Sequence, residues 1–362
     1  MYKSLLFRMY PNKEQQKMIE RTFGCCRLVY NKFLVMRNKA FANGHPIHFK
    51  ETSLMLTQLK KTDEYKFLRD IDSRALAQAN RDLDTAFKNY FSKKAHEPRL
   101  KQKNGKQSFR IINQYDSVRI AGKYIRLGKL GYIKIRQTME VGHIHSATVK
   151  KSFTGKYFVS LLVDFEPEPI LNQVKAIGID VGIKDFYTDS NGIKVPNPKY
   201  YQKMEWKLAR EQRKLLRKLN NSKNRNKQRI RVARVYEKIA NQRNDFLQKL
   251  STSLVRENQT ICVEDLNVRN MMRNHNLAKA ISDAGWSKFF DLLEYKAVWY
   301  GNQIIRVPTM YPSSQTCSSC GYKNQITKDI NIRRWECPVC HTVHDRDINA
   351  SINILKKGLI QA

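Results

Sequence analysis

The stretch Ala176-Ile177-Gly178-Ile179-Asp180-Val181-Gly182 decides how the second half of this 362-residue chain is read. Ile177, Ile179 and Val181 alternate with Gly178, Asp180 and Gly182, the period-two signature of a strand with two unlike faces. One face needs a core. On the other, two glycines flank a lone carboxylate and leave room for a ligand or a second backbone to come close. Two more buried-type strands are expected at residues 260–263 and 304–307. Residues 186–189 and 193–195 flank Ser190-Asn191-Gly192, a hairpin signal.

Between these strands, residues 199–250 carry 17 basic and 4 acidic residues at helical spacing. A merely solvated helix pair explains any single lysine there but not the imbalance, which suits a phosphate-facing surface. The whole chain repeats the bias, with 67 Lys+Arg against 32 Asp+Glu, a formal +35. Such an excess repels itself in a compact state, so a polyanionic partner is expected. Nucleic acid fits best, because neutralised phosphates release condensed counterions. The basic residues do not flank an apolar anchor, which argues against a membrane surface. No stretch approaches the ~18 apolar residues of a membrane span, and the N-terminal apolar run is too short for a signal peptide. A cytosolic, nucleoid-associated protein is expected.

Towards the N-terminus, residues 2–9 read as a strand ended by Tyr10-Pro11-Asn12. Asn12 and Gln15 form a capping pair, and Ile19, Phe23, Cys26, Tyr30 and Phe33 follow as one apolar helical stripe. A second helix starts near Ser73 with Leu76, Leu83, Phe87 and Tyr90 on one face. From residue 108 to 165, short β-like runs alternate with turns, and Thr154-Gly155 separates two arms of a hairpin. A small barrel completed by the first strand is expected, with a helical bundle inserted. Glu166-Pro167-Glu168-Pro169 reads as a linker, and a third region begins near Gln173.

Four of the 7 cysteines form two pairs, Cys317-x-x-Cys320 and Cys337-x-x-Cys340. In a reducing compartment this spacing signals a four-cysteine zinc ribbon, structural because four thiolates leave no open position for water. His341 and His344 are spare donors nearby, expected behind the ligands or at the surface. Cys25, Cys26 and Cys262 lie among apolar residues and read as small buried side chains.

Acidic residues are scarce, which singles out those at the ends of expected core elements. Asp180 is one. Glu264 ends the strand 260–263, and Asp345 and Asp347 open a terminal helix, where the dipole favours a carboxylate. Each alone reads equally well as a turn or cap residue. Together they resemble the carboxylate set that holds divalent cations in phosphodiester hydrolysis.

The order Gly178-Ile179-Asp180-Val181-Gly182, Val263-Glu264-Asp265-Leu266, the two cysteine pairs, then Asp345-Arg346-Asp347-Ile348-Asn349-Ala350 resembles the TnpB (OrfB) family of insertion-sequence RNA-guided nucleases, related to type V CRISPR effectors. Tyr10-Pro11-Asn12 and Cys26-Arg27-Leu28-Val29-Tyr30-Asn31 resemble that family's opening, so the likeness runs end to end. It implies an α+β multidomain fold. Residues 1–10 and 108–172 would form a wedge β-barrel around a helical recognition lobe at 11–107. An RNase H-like (RuvC) core at 173–314 would follow, with a zinc ribbon at 315–343 and the last core segment with its helix at 344–362. The catalytic acids would be Asp180, Glu264 and Asp347 holding two magnesium ions, with zinc on Cys317, Cys320, Cys337 and Cys340. The partners implied are a guide RNA from the transposon end and target double-stranded DNA cut beside a short motif, with one chain per RNA. Two rivals are a guide-RNA-dependent repressor that binds without cutting and a strand-joining transposase, whose glutamate normally comes last, not in the middle.

Overall fold

The computed structural model describes all residues except 138, 168–174, 330 and 362. Two compact units divide the chain, Met1–Glu166 and Pro167–Ala362. The expected linker and the start near Gln173 fall partly or wholly outside the described residues.

In the first unit, β1 (Tyr2–Tyr10) leads into α1 (Lys13–Ala42), α2 (Phe49–Leu59) and α3 (Ser73–Phe91). The strands β2 (Gln107–Ile112), β3 (Val118–Ala121), β4 (Tyr124–Leu127), β5 (Tyr132–Arg136), β6 (Ile144–Lys151) and β7 (Tyr157–Asp164) follow. They form one antiparallel sheet in the order β2-β6-β7-β1-β5-β4-β3, so the N-terminal strand is central, as its pattern requires. The sheet is a half-barrel, because no ladder joins its end strands β2 and β3 among the described residues. Asn113 bridges that gap instead: its Oδ1 accepts from the Val118 amide at 2.9 Å and its Nδ2 donates to the Ile144 carbonyl at 2.8 Å.

The Asn12–Gln15 capping box opens α1, and all five residues of its expected stripe are buried. They share a core with Leu76 and Leu83 of α3 and with Phe7, Ile133 and Val159 of the sheet. Tyr90 departs from its expected face: it is 40% exposed, in the last turn of α3, and packs on Phe91 rather than into the core.

The second unit begins with β8 (Ala176–Val181), β9 (Asp185–Asp189) and β10 (Lys194–Pro196), then α4 (Tyr200–Leu216) and α5 (Lys223–Glu257). Next come β11 (Thr260–Glu264), α6 (Val268–Met271), α7 (His275–Ala284), α8 (Trp286–Tyr300) and β12 (Gln303–Val307). The short strands β13 (Arg334–Glu336) and β14 (Val343–Asp345) precede α9 (Arg346–Gln361). The main sheet runs β10-β9-β8-β11-β12. Strands β8, β11 and β12 are parallel, and β9 turns back antiparallel to β8.

Helices cover both faces of this sheet, as parallel strands demand. Ile177, Ile179, Ile261 and Val263 pack on one side against Leu247 and Leu254 of α5 and Phe289 and Leu293 of α8. On the other side lies α9, whose Ile354 packs with Cys262, Ile305 and Val307. Its approach is unusually close. A Cβ on Gly178 would sit 2.7 Å from the Leu355 Cβ and nearer still to the Ser351 carbonyl oxygen, and one on Gly358 would meet Cys262. The room left by Gly178 is therefore taken by a helix backbone.

Candidate functional site

That close docking decides where the acids stand. Asp180 shares the α9 side of β8 with Gly178, two residues on. Glu264 shares the corresponding side of β11 with Cys262. The parallel register sets Val263 beside Ile179, so the two carboxylates leave adjacent strand ends. Asp347 lies in the first turn of α9. Asp180, Glu264 and Asp347 line one cavity of about 410 Å³, together with Arg333, Arg346 and Gln315.

Asp345 has a different position. Its Oδ1 accepts the amides of Asp347 (3.1 Å) and Ile348 (3.2 Å), so it caps α9, and its Oδ2 accepts from Lys194 Nζ at 2.7 Å. Burial alone would raise its carboxyl, but Lys194 and these amides outweigh it and hold it below the ordinary range.

The opposite holds in the cavity. Burial, then the negative charge of Asp347 and Glu264, push Asp180 up to about 8 against the weaker pull of Arg346 and Arg333. Burial pushes Glu264 up to about 7. Carboxylates gathered this way favour a proton or a cation between them. The donor set is all oxygen, which suits a hard divalent cation such as magnesium.

Arg333 and Arg346 were not singled out by the sequence reading. Arg333 Nη1 reaches both Asp347 oxygens, at 3.3 and 3.4 Å, and the Arg333 carbonyl accepts the Arg346 amide at 2.9 Å. A hint existed in Asp345-Arg346-Asp347, a cation between two candidate acids. Arg333 lies in the segment between the cysteine pairs and had no local mark.

Cys317, Cys320, Cys337 and Cys340 bring their sulfurs within 4.8 Å of one another, the only such group of potential ligands among the described residues. The Cys317–Cys340 and Cys320–Cys337 sulfurs are 3.6 and 3.5 Å apart. Four bonds of 2.3 Å at tetrahedral angles need roughly 3.8 Å, so the set fits zinc. Both knuckles close alike: Gly321 (φ 81°) and His341 (φ 55°) are left-handed and return their amides to the Cys317 and Cys337 carbonyls, each at 2.9 Å. Of the two spare histidines, His344 is buried with Nε2 3.0 Å from Cys317 Sγ, behind the ligand, whereas His341 faces Glu336 at 3.1 Å on the surface.

The first knuckle is fastened to α9. Asn349 accepts the Ser318 amide at 2.8 Å and donates to the Thr316 carbonyl at 2.7 Å, and Asn353 donates to Ser313 at 2.9 Å and to Thr316. One helix thus carries an acid of the cavity and grips the four-cysteine ribbon.

Comparison with known proteins adds the following. Residues 1–45 match a family described as "Helix-turn-helix domain", residues 160–275 the OrfB family "Probable transposase", and residues 286–354 "Cas12f1-like, TNB domain". The first covers β1 and the single unbroken helix α1, not a pair of helices. A Streptomyces pristinaespiralis protein named "Putative RNA-guided DNA endonuclease" is 41% identical over 98% of this chain and 88% of its own length. The Escherichia coli K12 "Putative RNA-guided DNA endonuclease InsQ" is 31% identical over 97% of this chain and 91% of its own. A "TnpB-like protein L79" of Acanthamoeba polyphaga mimivirus is 23% identical over 97% and 72%. A solved structure described as a Cas12f1-sgRNA-target DNA complex shares the fold, with a TM-score of 0.59 over 98% of both chains at 13% identity.

Proposed function

Because the chain belongs to the TnpB (OrfB) family, we propose that it is an RNA-guided DNA endonuclease of a transposable element that cuts at Asp180, Glu264 and Asp347. The observation that carries this reading is the convergence of three carboxylates, from segments far apart in the chain, on one cavity at the ends of parallel strands. The β8-β9-β10 meander with parallel β11 and β12 has the strand order of an RNase H-like core, and such sheets bind ligands at their strand ends.

Asp180, Glu264 and Asp347 would hold magnesium, which when bound activates water and stabilises the leaving oxygen of a phosphodiester. Arg333 and Arg346 line the same cavity and would bring positive charge to a phosphate held there. Asp345, tied to Lys194, fixes the first turn of α9 and hence the backbone position of Asp347. The guide RNA reads target sequence by base pairing, and the protein reads a short adjacent motif and heteroduplex shape. In this reading residues 1–10 and 108–172 are the wedge, 11–107 the recognition lobe, 173–314 the nuclease core, 315–343 the ribbon and 344–362 the last core segment. One chain acts per RNA.

The direct test loads the full chain with RNA transcribed from its own element's end and supplies magnesium and a matched duplex. Cleavage that requires all three supports the proposal. Tight guided binding with an intact duplex at saturating magnesium would favour a repressor, and strand joining would favour a transposase.

The ribbon carries its own expectation. Cys337, fully buried, supplies one of four thiolates, so Cys337→Ser should reduce bound zinc from one per chain to well below half after exchange against a mild chelator. Elemental analysis of the purified variant checks this. Full occupancy would refute four-cysteine ligation.

A further inference from the structure

The cleavage reading leaves the outer side of α4 unused. Lys203, Trp206, Arg210, Arg213 and Arg217 follow one another at steps of three or four residues, which sets them in a line along one side of the helix. All five are exposed. The opposite side makes the hairpin core: Leu208 packs with Val232, Val235 and Ile239 of α5, and buried Glu211 accepts Gln228 Nε2 at 2.7 Å. The line therefore faces solvent, and among the described residues Arg210 alone of its cations pairs within the hairpin, with Glu211.

Trp206 is 68% exposed, with the Arg210 guanidinium 4.7 Å from its ring centre. Arg210 pairs with Glu211, while among the described residues Lys203, Arg213 and Arg217 make no ion pair. A large aromatic face in line with three cations that make no ion pair matches a base to stack on and a phosphate backbone to hold.

Beside the N-terminal end of the line, Gln202 and Glu205 of α4 border a second cavity of about 270 Å³, lined also by Lys199, Asn276, Ile183 and Lys279, the last paired with Glu205. Ile183 also lines the acid cavity, as does Leu277, the residue after Asn276. The two cavities adjoin there. The junction is anchored, because Asp283 accepts the Tyr201 amide at 2.9 Å and caps α4.

We propose that the α4 line and this second cavity form a track for single-stranded DNA that delivers the strand to be cut into the acid cavity, with Trp206 stacking on one of its bases. Stacking on an indole requires an unpaired base, which selects a single strand over a duplex. The line from Lys203 to Arg217 spans roughly 21 Å of helix, enough for several nucleotides. Continuity with the acid cavity selects the DNA being cut over the guide RNA. Only this last step rests on the nuclease reading.

The test uses the full chain loaded with guide RNA and a labelled 20-nucleotide oligothymidine as probe, with affinity read by anisotropy and guided cleavage measured in parallel. Trp206→Ala is expected to weaken oligothymidine binding by about 5- to 100-fold, and Trp206→Phe to recover most of it. Neither changes the net charge, so general attraction to a +35 protein cannot mimic the difference. Arg213→Glu with Arg217→Glu should weaken binding again and flatten its salt dependence.

Unchanged affinity in all three variants overturns the track. So does loss of guide-RNA loading with single-strand affinity intact, which would make α4 an RNA-docking surface. A wild type that never cuts, but loses oligothymidine affinity on Trp206→Ala, sinks the nuclease reading and leaves the track standing. A wild type that cuts beside unaffected variants sinks the track alone.

Discussion

Asp180→Ala, in the RNA-loaded full chain with saturating magnesium, is expected to slow target cleavage by about a thousandfold or more while guided DNA binding stays within about twofold. The carboxylate lines the cavity with Glu264 and Asp347 and feels the charge of both, so its removal takes away one of the three donors that would hold the cations. Unchanged cleavage would remove Asp180 from the chemistry.

The same cluster predicts a stability effect of opposite sign. In the unfolded chain Asp180 and Glu264 titrate near 4, whereas in the fold they are pushed up to about 8 and about 7. Between those limits the native state binds more protons than the unfolded state. Stability of the magnesium-free protein is therefore greatest near pH 4 as far as these groups are concerned, and it falls as pH rises through 7 to 8. Asp180→Asn relieves that penalty. Its Tm without magnesium, zinc retained, should exceed wild type by several degrees at pH 8.5 and match it near pH 4.5. Equal melting at both pH values would mean that the fold imposes no such penalty on the Asp180 carboxylate.

Gly178→Ala carries the largest expected loss of stability, about 3 kcal/mol or more, or roughly 10 °C in the melting of the unit Pro167–Ala362. The new methyl would collide with backbone of α9, at the Ser351 carbonyl and the Leu355 amide (2.7 Å from its nitrogen), and backbone cannot step aside as a side-chain tip can. Lifting α9 moves Asp347 out of the cavity and strains the Asn349 and Asn353 bonds to the ribbon, so cleavage should fall at least a hundredfold as well. Thermal melting with limited proteolysis of the C-terminal helix reads the effect. A variant that melts with wild type would show that α9 does not sit directly on β8. Gly358→Ala, against the Cys262 thiol and its Cβ at 2.8 Å, is the companion substitution and should press α9 away from β11 in the same way.

Much of this was legible in residue order. Period-two alternation at 176–182 separated the isoleucine face of β8, packed on α5 and α8, from the glycine face that α9 covers, because alternation is enforced by the strand itself. The capping pair Asn12–Gln15 and the α1 stripe were equally local. The thiol cluster was legible because each C-x-x-C fixes two donors within a single turn, so only one long-range pairing was left open.

The rest belonged to distance in the chain. Whether the sheet of the first unit closes depends on β2 meeting β3, which no strand pattern encodes, and Asn113 fills the gap instead. Asp345 and Asp347 are two residues apart and alike in sequence. Only the orientation of the first turn of α9 makes one a cap tied to Lys194 and turns the other towards Asp180 and Glu264. Arg333 reaches Asp347 because the ribbon folds back on α9, which depends on Asn349 and Asn353 bonding to carbonyls more than thirty residues away.

The sequence by itself determined the elements, the thiol set and the short roster of acids, since each is written in neighbouring residues. The gathering of those acids at one place was decided by tertiary structure alone. It follows from parallel register and from a helix pressed onto a glycine, and both are contacts between segments whose separation local periodicity cannot sense.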